Sequence, residues 1–482
     1  MDLDHDACYR AISQRDVRFD GRLFIGVKTT GIYCRPVCPA RTPRSENVNF
    51  YPTAAAAQEA GFRPCLRCRP ETAPDMGAWR GTSNTVSRAL GLIELGALDA
   101  ADVDALANRL GVGERQLRRL FRQHLGASPV AVAQTRRVLL AKQLIHETRL
   151  PMTEIAFAAG FGSVRRFNET FQTLFDRAPG ALRRASGPEI SAGARGEVSL
   201  LLRYQPPYDW AAMLRFMQAH AIPGVESIAG DSYSRTIELD GVQGMATVRP
   251  ADGNALRATI RFARLSALPA IIARLRRVFD LAADPVAIAA HLAEDPALAP
   301  LVAARPGLRA PGAWDGFELA VRVVLERRSA APAAAHLAGR IAAAYGAPMS
   351  ERHGDLAVTF PQPQVLAAAD LTALGVAKGR ASAISAIAAA MVADPNLFGA
   401  HRGLEETAER LRSIRGMGEA MAQYIAARLL REPDAFPSAD LDVARALADS
   451  EGRTPGHTEI LARAELWRPW RAYAAQHLSS AA

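Results

Sequence analysis

The sequence predicts a multidomain fold. A small metal-clamped α+β module and an all-α module precede a second α+β module and an all-α C-terminal region. Three observations point to it. At 482 residues the chain exceeds one ordinary domain. Four of its five cysteines fall in two close pairs before residue 70. The apolar pattern also changes along the chain, from loop-rich to helical, then to strand-like alternation, then to helical again. The expected boundaries are 1–76 for the metal module, 78–184 for the first helical module, 198–282 for the second α+β module and 283–482 for the helical end. Between them "ASGPEISAGARGE", 185–197, reads as a linker, small, polar and broken by Gly and Pro.

A hydrophobic fraction of 49% is ample for several cores. No apolar run approaches the roughly 20 residues of a membrane span. The opening "MDLDHDACYR" is acidic and polar, unlike a signal peptide. Sparse, paired cysteines suit a reducing compartment, so a cytoplasmic protein with no membrane partner is expected. The net charge of +9 is unevenly spread: residues 1–190 carry 27 Lys+Arg against 19 Asp+Glu, and the rest carry 31 against 30. Only Lys28, Lys142 and Lys378 are lysines. Arginine's planar fork suits phosphate, and the basic front end fits nucleic acid.

The pairs are Cys34-x3-Cys38 and Cys65-x2-Cys68, separated by 26 residues. Two short-range thiolate pairs closed by a loop supply the tetrahedron that Zn²⁺ prefers, so one zinc ion on Cys34, Cys38, Cys65 and Cys68 is expected. A clamp for a domain too small to hold itself is the plainer reading. Cys8 lies apart and reads as a buried thiol. "TTGIYCRPVCPART", "ENVNFY" and "AGFRPCLRC" closely resemble the N-terminal domain of the Ada family of methylation-damage sensors, over about residues 5 to 72. That resemblance implies that Cys34 accepts a methyl group from a DNA phosphotriester. Arg35, Arg41, Arg44, Arg63 and Arg67 surround the site as candidate phosphate contacts.

"ADVDALANRLGVGERQLRRLFRQHLGASP" has a first helix, a turn at Gly111 and a second helix from Glu114. The second helix separates Leu117, Leu120 and Phe121 from Arg115, Gln116, Arg118, Arg119, Arg122 and Gln123, a packing face from a face that can meet DNA. "MTEIAFAAGFGSVRRFNETFQTLFDRAP" repeats the plan with a turn at Gly160-Phe161. The run I-A-x3-G-F-x-S-x3-F-x3-F-x7-P resembles the AraC-type DNA-binding signature, with Phe167, Phe171 and Pro179 as core. The resemblance draws base and phosphate readers from Glu114–Gln123 and Ser163–Gln172, the latter including Arg165 and Arg166.

From about Val198 to His477 the chain resembles the AlkA family of 3-methyladenine DNA glycosylases, through "RYQPPYDW", "RPGLRAPGAWDGFELAVR" and "WRPWRAYAAQH". "LRSIRGMGEAMAQYIAARLL" reads as helix, hairpin, helix, in which Gly416 and Gly418 bring backbone N–H groups close to a phosphate. Asp440 lies 22 residues after Gly418, in "DAFPSADLDV". The resemblance implies that it is the catalytic carboxylate, with Asp442 a nearby competitor and a helix cap the plain alternative. The slot of a strand-cleaving lysine holds Glu419-Ala420, so the activity is expected to be monofunctional. Ala420 and Ser479 replace tryptophans usual in relatives, and "LERRSAAP" puts Arg327 and Arg328 where a wedge enters the DNA. Tyr208, Trp210, Trp314 and Tyr424 are the candidates for the base pocket, with Tyr233 beside them, each equally readable as core. Ada relatives often continue into an O6-alkylguanine transferase; with no cysteine after Cys68, that activity is not expected.

The combined expectation is a zinc-bound α+β domain, an all-α double helix-turn-helix domain, an α+β domain and all-α helix-hairpin-helix glycosylase domains. The function implied is regulation and repair in a bacterial adaptive response to alkylation. Expected partners are double-stranded DNA, both alkylated and at repair-gene promoters, and RNA polymerase, in a nucleoid-associated setting. Two rivals stand beside it: a regulator whose C-terminal half binds DNA without catalysis, and a repair enzyme whose zinc module is purely structural.

Overall fold

The structure is a computed structural model that describes residues 4–74, 84–183, 197–327, 329–399, 404–430, 433–436, 441–448 and 453–481. Asp440, Arg328 and all of the expected linker but Glu197 lie outside the described residues. The chain divides into two compact units, Met1–Gln205 with Ala251–Ala273, and Pro206–Pro250 with Arg274–Ala482.

The first unit opens with a four-stranded sheet of order β3-β1-β2-β4, where β1 is Phe24–Val27, β2 Ile32–Cys34, β3 Val48–Tyr51 and β4 Arg63–Pro64. Strand alternation splits its core in two. Phe24 packs with Tyr33, Ala57 and Phe62 on one face, while Ile25 packs with Cys8, Ile12 and Val48 on the other. Cys8 is therefore an ordinary buried thiol.

Both helix-turn-helix patterns appear where the sequence places them. Val103–Leu110 is capped by Asp102, whose carboxylate accepts from the Ala105 N–H at 2.9 Å, and ends at Gly111. Glu114–Leu125 follows. The second pair is Met152–Ala158 and Val164–Phe175, the latter capped by the Ser163 hydroxyl. Gly160 takes φ +90°, and a Cβ there would meet Asp99 Oδ2 at 2.5 Å, so only glycine serves at this turn. Phe161, Phe167, Phe171 and Phe175 stack in sequence at 4.8 to 5.4 Å. The 19-residue helix Pro129–Glu147 joins the two pairs. Strands Glu197–Arg203 and Ala255–Phe262 complete the unit as an antiparallel pair.

In the second unit, Glu226–Ala229, Ser232–Leu239 and Val242–Ala251 form an antiparallel meander. The rest is mostly helical. Val321, Val324, Ile341, Ile384, Ile387, Ala422 and Ile425, from helices Gly316–Glu326, Ala331–Tyr345, Lys378–Ala393 and Glu419–Leu430, build one buried core. Among the described residues no helix is long and apolar enough to cross a membrane.

Candidate metal centre, DNA-facing helices and base cleft

Sheet pairing builds the sulfur cluster. Strand β2 ends at Cys34 and runs parallel to β4, with Ile32 opposite Arg63 and Tyr33 opposite Pro64. The next residue after β4 is Cys65, whose N–H donates to Tyr33 O at 3.0 Å, so the two pairs start side by side. A tight turn, Cys38 N–H to Arg35 O at 3.1 Å, brings Cys38 back. All four Sγ atoms lie within 4.8 Å of one another, with Cys65 and Cys68 buried and Cys34 and Cys38 partly accessible. A tetrahedron with Zn–S bonds of about 2.3 Å has edges near 3.8 Å, so the donor set fits. The Cys34 thiol, donating to Cys38, draws the Cys38 thiol down to about 7, whereas the other three sulfurs hold the Cys34 proton in place. A divalent cation makes all four thiolates together.

The sulfurs are not equivalent. Cys68 Sγ accepts from the Arg35 N–H and Cys65 Sγ from the Arg67 N–H, each at 3.3 Å. Cys38 is lowered in part by the Ala40 backbone N–H. Among the described residues, Cys34 Sγ receives no such backbone bond. Of the arginines expected at phosphate, Arg41, Arg44 and Arg67 are exposed and Arg63 is half-buried. Arg35 corrects the expectation. Its guanidinium pairs with buried Asp20 and donates to Thr72 Oγ1 at 2.5 Å and Cys68 O at 3.2 Å, so it braces the cysteine loops instead of facing DNA.

The cysteine-cluster module docks on helix Glu114–Leu125. Thr53 Oγ1 donates to Leu125 O at 2.8 Å, closing that helix's C-terminal end while also capping its own helix through the Ala56 N–H. Glu59 accepts from Arg122 at 2.7 and 3.0 Å and from Ser128. Arg122 is thus a joint between modules as well as a candidate reader. Behind the cluster, fully buried Lys142 donates to Cys65 O at 3.3 Å and to Glu71 at 2.8 Å. Arg69 bridges Glu71 to Glu147. Arg115, Gln116, Arg118, Arg119, Ser163, Arg165 and Arg166 all lie on exposed faces, while Leu117, Phe121 and Phe167 are fully buried.

In the second unit, Leu404–Arg412 and Glu419–Leu430 flank the Gly416-Met417-Gly418 hairpin. Gly416 has φ +88°, and a Cβ would strike Ala383 Cβ at 2.6 Å. At Gly418 a Cβ would meet Met421 Cε at 3.8 Å, an ordinary contact with the far end of a flexible side chain. Glu419 beside it is paired with Arg412 at 2.6 Å. Ala420 and Arg327 are exposed. A small cleft of about 50 Å³ opens nearby, lined by Phe216, His220, Trp314, Glu326, Tyr424 and Arg428 among others. Of the four aromatics expected at the base pocket, Trp314 and Tyr424 line it. Trp314 is otherwise core, held between Arg235 at 4.5 Å and Arg274 at 5.4 Å. Tyr208 and Trp210 do not reach it. The Tyr208 hydroxyl donates to Phe279 O at 2.6 Å and the Trp210 indole to Asp231 O at 3.0 Å, which makes them packing residues around Phe279. Phe216, His220 and Arg428 escaped the sequence reading, because a helical apolar pattern does not tell which of its aromatics borders a cleft.

Comparison with known proteins agrees with this geometry along the chain. The "Metal binding domain of Ada" matches residues 7–71, a "Helix-turn-helix domain" 106–185 and the "AlkA N-terminal domain" 199–315. A Mycobacterium tuberculosis protein called "Probable bifunctional transcriptional activator/DNA repair enzyme AlkA" is 40% identical over 480 residues, 99% of this chain and 96% of that one. This chain belongs to the Ada–AlkA family of bifunctional proteins. Escherichia coli "DNA-3-methyladenine glycosylase 2" is 35% identical over 288 residues, 58% of this chain and 95% of that protein. A solved "3-methyladenine dna-glycosylase from Archaeoglobus fulgidus" shares the fold alone, with a TM-score of 0.52 and 20% identity, covering 59% of this chain and 96% of that one. With the Ada–AlkA family's metal-binding domain covering all four converging sulfurs, Cys34, Cys38, Cys65 and Cys68 form a four-cysteine zinc site.

Proposed function

We propose that the chain is a methylation-responsive transcription regulator that also repairs DNA. Cys34 takes a methyl group from a DNA methylphosphotriester, and the C-terminal region releases alkylated bases by hydrolysing the N-glycosidic bond. The observation that carries the sensor half is the inequality among the four sulfurs. Zinc, when bound, keeps the cysteines deprotonated at neutral pH. Backbone N–H groups quiet Cys38, Cys65 and Cys68, and burial shields the last two. Cys34 combines access with an unshared thiolate lone pair. Its sulfur bonds to the methyl carbon as the methyl–oxygen bond breaks, and the phosphodiester anion leaves. The centre becomes one unit less negative beside the DNA backbone, so attraction rises. Thr53 and Glu59 fix that centre against the Glu114–Leu125 helix, so a charge change there is felt by the DNA reader.

Promoter DNA is then held by Arg115, Gln116, Arg118, Arg119, Arg122, Ser163, Arg165 and Arg166, with RNA polymerase as the recruited partner on the nucleoid. In the repair half, Gly416 and Gly418 grip phosphate and Arg327 with Arg328 enters the gap left by the flipped base. Asp440 stabilises the developing oxocarbenium ion and directs water to C1′. A cationic alkylpurine needs no acid to depart, and Glu419-Ala420 supplies no lysine for strand cleavage. Exposed Ala420, without a stacking ring, favours the rival in which this half only binds DNA.

Two measurements on one preparation decide. Mass spectrometry after exposure to methylated duplex should find S-methylcysteine at Cys34, and Cys34→Ser should abolish the modification. Release of 3-methyladenine that disappears in Asp440→Asn supports catalysis; its absence from the wild-type chain leaves the binding-only reading.

A further inference from the structure

Helix Glu114–Leu125 carries Arg115, Arg118, Arg119 and Arg122 in one stripe, three and four residues apart, while Leu117, Phe121 and Leu125 form its buried stripe. Arg118 bonds Glu114 and Arg119 bonds Gln116, partners on their own helix. Arg122 differs. It is gripped by Glu59, which belongs to the cysteine-cluster module. Each Glu59 oxygen takes one guanidinium N–H and one group of Ser128. Oε2 accepts from Arg122 at 2.7 Å and from the Ser128 N–H at 3.2 Å. Oε1 accepts from Arg122 at 3.0 Å and from the Ser128 hydroxyl at 2.8 Å.

The docking of the two modules does not depend on this charge. Glu59 is the last residue of helix Ala54–Glu59, where a negative charge opposes the helix dipole. The joint itself is apolar and close-packed: Ala55 and Ala56 pack with Ala127, Ala131 and Val132. A Cβ on Gly126 would meet Ala56 Cβ and Pro52 Cγ, each at 3.2 Å. The Thr53 hydroxyl adds its bond to Leu125 O. The donors around Glu59 suit another anion as well. A DNA phosphodiester also offers two oxygens that share one negative charge, and an arginine fork bonds it bidentately as it does a carboxylate. The Arg122 side chain is 58% exposed, so a phosphate can reach it from the side that Arg115, Arg118 and Arg119 face.

We infer that Glu59 is an autoinhibitory stand-in for a DNA phosphate, holding Arg122 from the backbone until phosphate displaces it. The inference rests on the reading of Glu114–Leu125 as a DNA-facing helix. Glu59 lowers affinity in two ways: it occupies a cation, and it sets a fixed negative charge beside the duplex. The resting chain therefore binds more weakly than its arginine stripe alone would allow.

The test uses the full zinc-loaded chain and the duplex that the wild type itself selects from a random-sequence pool, since sequence selection reports the base-reading helices. Affinity is titrated over a range of salt for wild type, Glu59→Gln, Arg122→Gln and the double variant. Glu59→Gln keeps an acceptor oxygen for Ser128 but loses the charge. It should bind about 3- to 10-fold tighter, and log K should fall more steeply with log salt by about 0.9, as one added phosphate contact requires. A gain in binding cannot come from misfolding. Arg122→Gln should cancel that whole gain in the Glu59→Gln chain and should weaken wild type far less, because there the cation is already engaged. Unchanged affinity and slope in Glu59→Gln would overturn the inference and leave Glu59 a structural joint. Equal losses from Arg122→Gln in both backgrounds would overturn it too, by placing Arg122 on DNA from the start. A wild type that selects no sequence overturns the promoter reading, and this inference with it.

Discussion

Each unit contains a buried ionic network, and the two are used differently. In the first unit, Lys142, Glu71, Arg69 and Glu147 run from the Cys65 carbonyl to the Leu201 N–H, crossing from the zinc module through the helix that joins the two helix-turn-helix pairs. In the second, Tyr233, Glu226, Arg235, Glu318 and Arg322 close on themselves in the cleft wall, with the Tyr233 hydroxyl 2.5 Å from Glu226 and Arg235 2.8 Å from Glu318. One network fastens modules together; the other stiffens a single wall. The contrast matters because buried ion pairs add little net stability but penalise any misplaced partner. The first unit spends that specificity on how sensor meets reader, and the second on the shape of a pocket.

Metal removal should split the two units most widely. Structural zinc in small domains is worth about 10–16 kcal/mol, and the metal module's two small core clusters cannot replace it. Chelation of the full chain should melt the first unit's N-terminal module while the second unit keeps its cooperative transition and its helical circular dichroism. One unchanged transition in the chelated protein would mean that the sulfurs are not what holds the module.

Lys142→Met comes next. Leaving buried Glu71 with Arg69 as its remaining cation should cost up to about 3–5 kcal/mol, read by denaturant titration of the first unit, and Glu71→Gln added to it should recover part of the loss. A pH titration makes the same point. Burial pushes the Glu71 carboxyl up, but the Lys142 ammonium outweighs it and the net value falls below the ordinary one. Its stabilisation is therefore present at neutral pH and is lost as pH falls through that lowered value.

The second unit offers its own acid limb at Asp295. Its carboxylate accepts from Arg463 at 2.8 and 3.1 Å, from the Trp467 indole at 2.8 Å and from the Ala297 N–H. Hydrogen bonding from Arg463 leads in lowering it to about 2, from an ordinary 3.8. The folded value is depressed, so the contribution is complete above about pH 4 and fades between there and pH 2. Asp295→Asn should flatten that part of the stability curve in the second unit alone.

These networks also mark where sequence reasoning stops. Cysteine spacing, paired turn glycines and phenylalanine periodicity are local, and each led to the right place: Cys34 at the end of one strand and Cys65 just after its neighbour, Gly160 at a turn, Phe167 in a core. Lys142 looked like one of three stray lysines, yet it is wholly buried against a carbonyl 77 residues away in sequence. Arg35 looked like a phosphate ligand because it stands beside Cys34, but Asp20 claims it from a loop that no motif identifies. Tyr208 and Trp210 read as pocket aromatics, and Phe216 was missed, because which aromatic borders a cleft is decided by packing. Long-range charge pairing and cleft lining are tertiary facts with no short sequence signature.

The smallest stability effect should come with a clear functional one. Thr53→Val keeps the side chain's shape but removes the hydroxyl that caps its own helix and closes Glu114–Leu125. Cap loss costs about 1 kcal/mol, within reach of a thermal melt of the first unit. If the docking of sensor on reader transmits the charge change at the zinc centre, the gain in promoter affinity that follows methylation should shrink in this variant. Affinity of the unmethylated chain for the same DNA should move far less, since Thr53 bonds the C-terminal end of the helix, beyond Arg115, Arg118 and Arg119. A full methylation-dependent gain in Thr53→Val, measured by titration at one fixed salt concentration, would mean that the lost charge acts on DNA directly and that the joint serves stability alone.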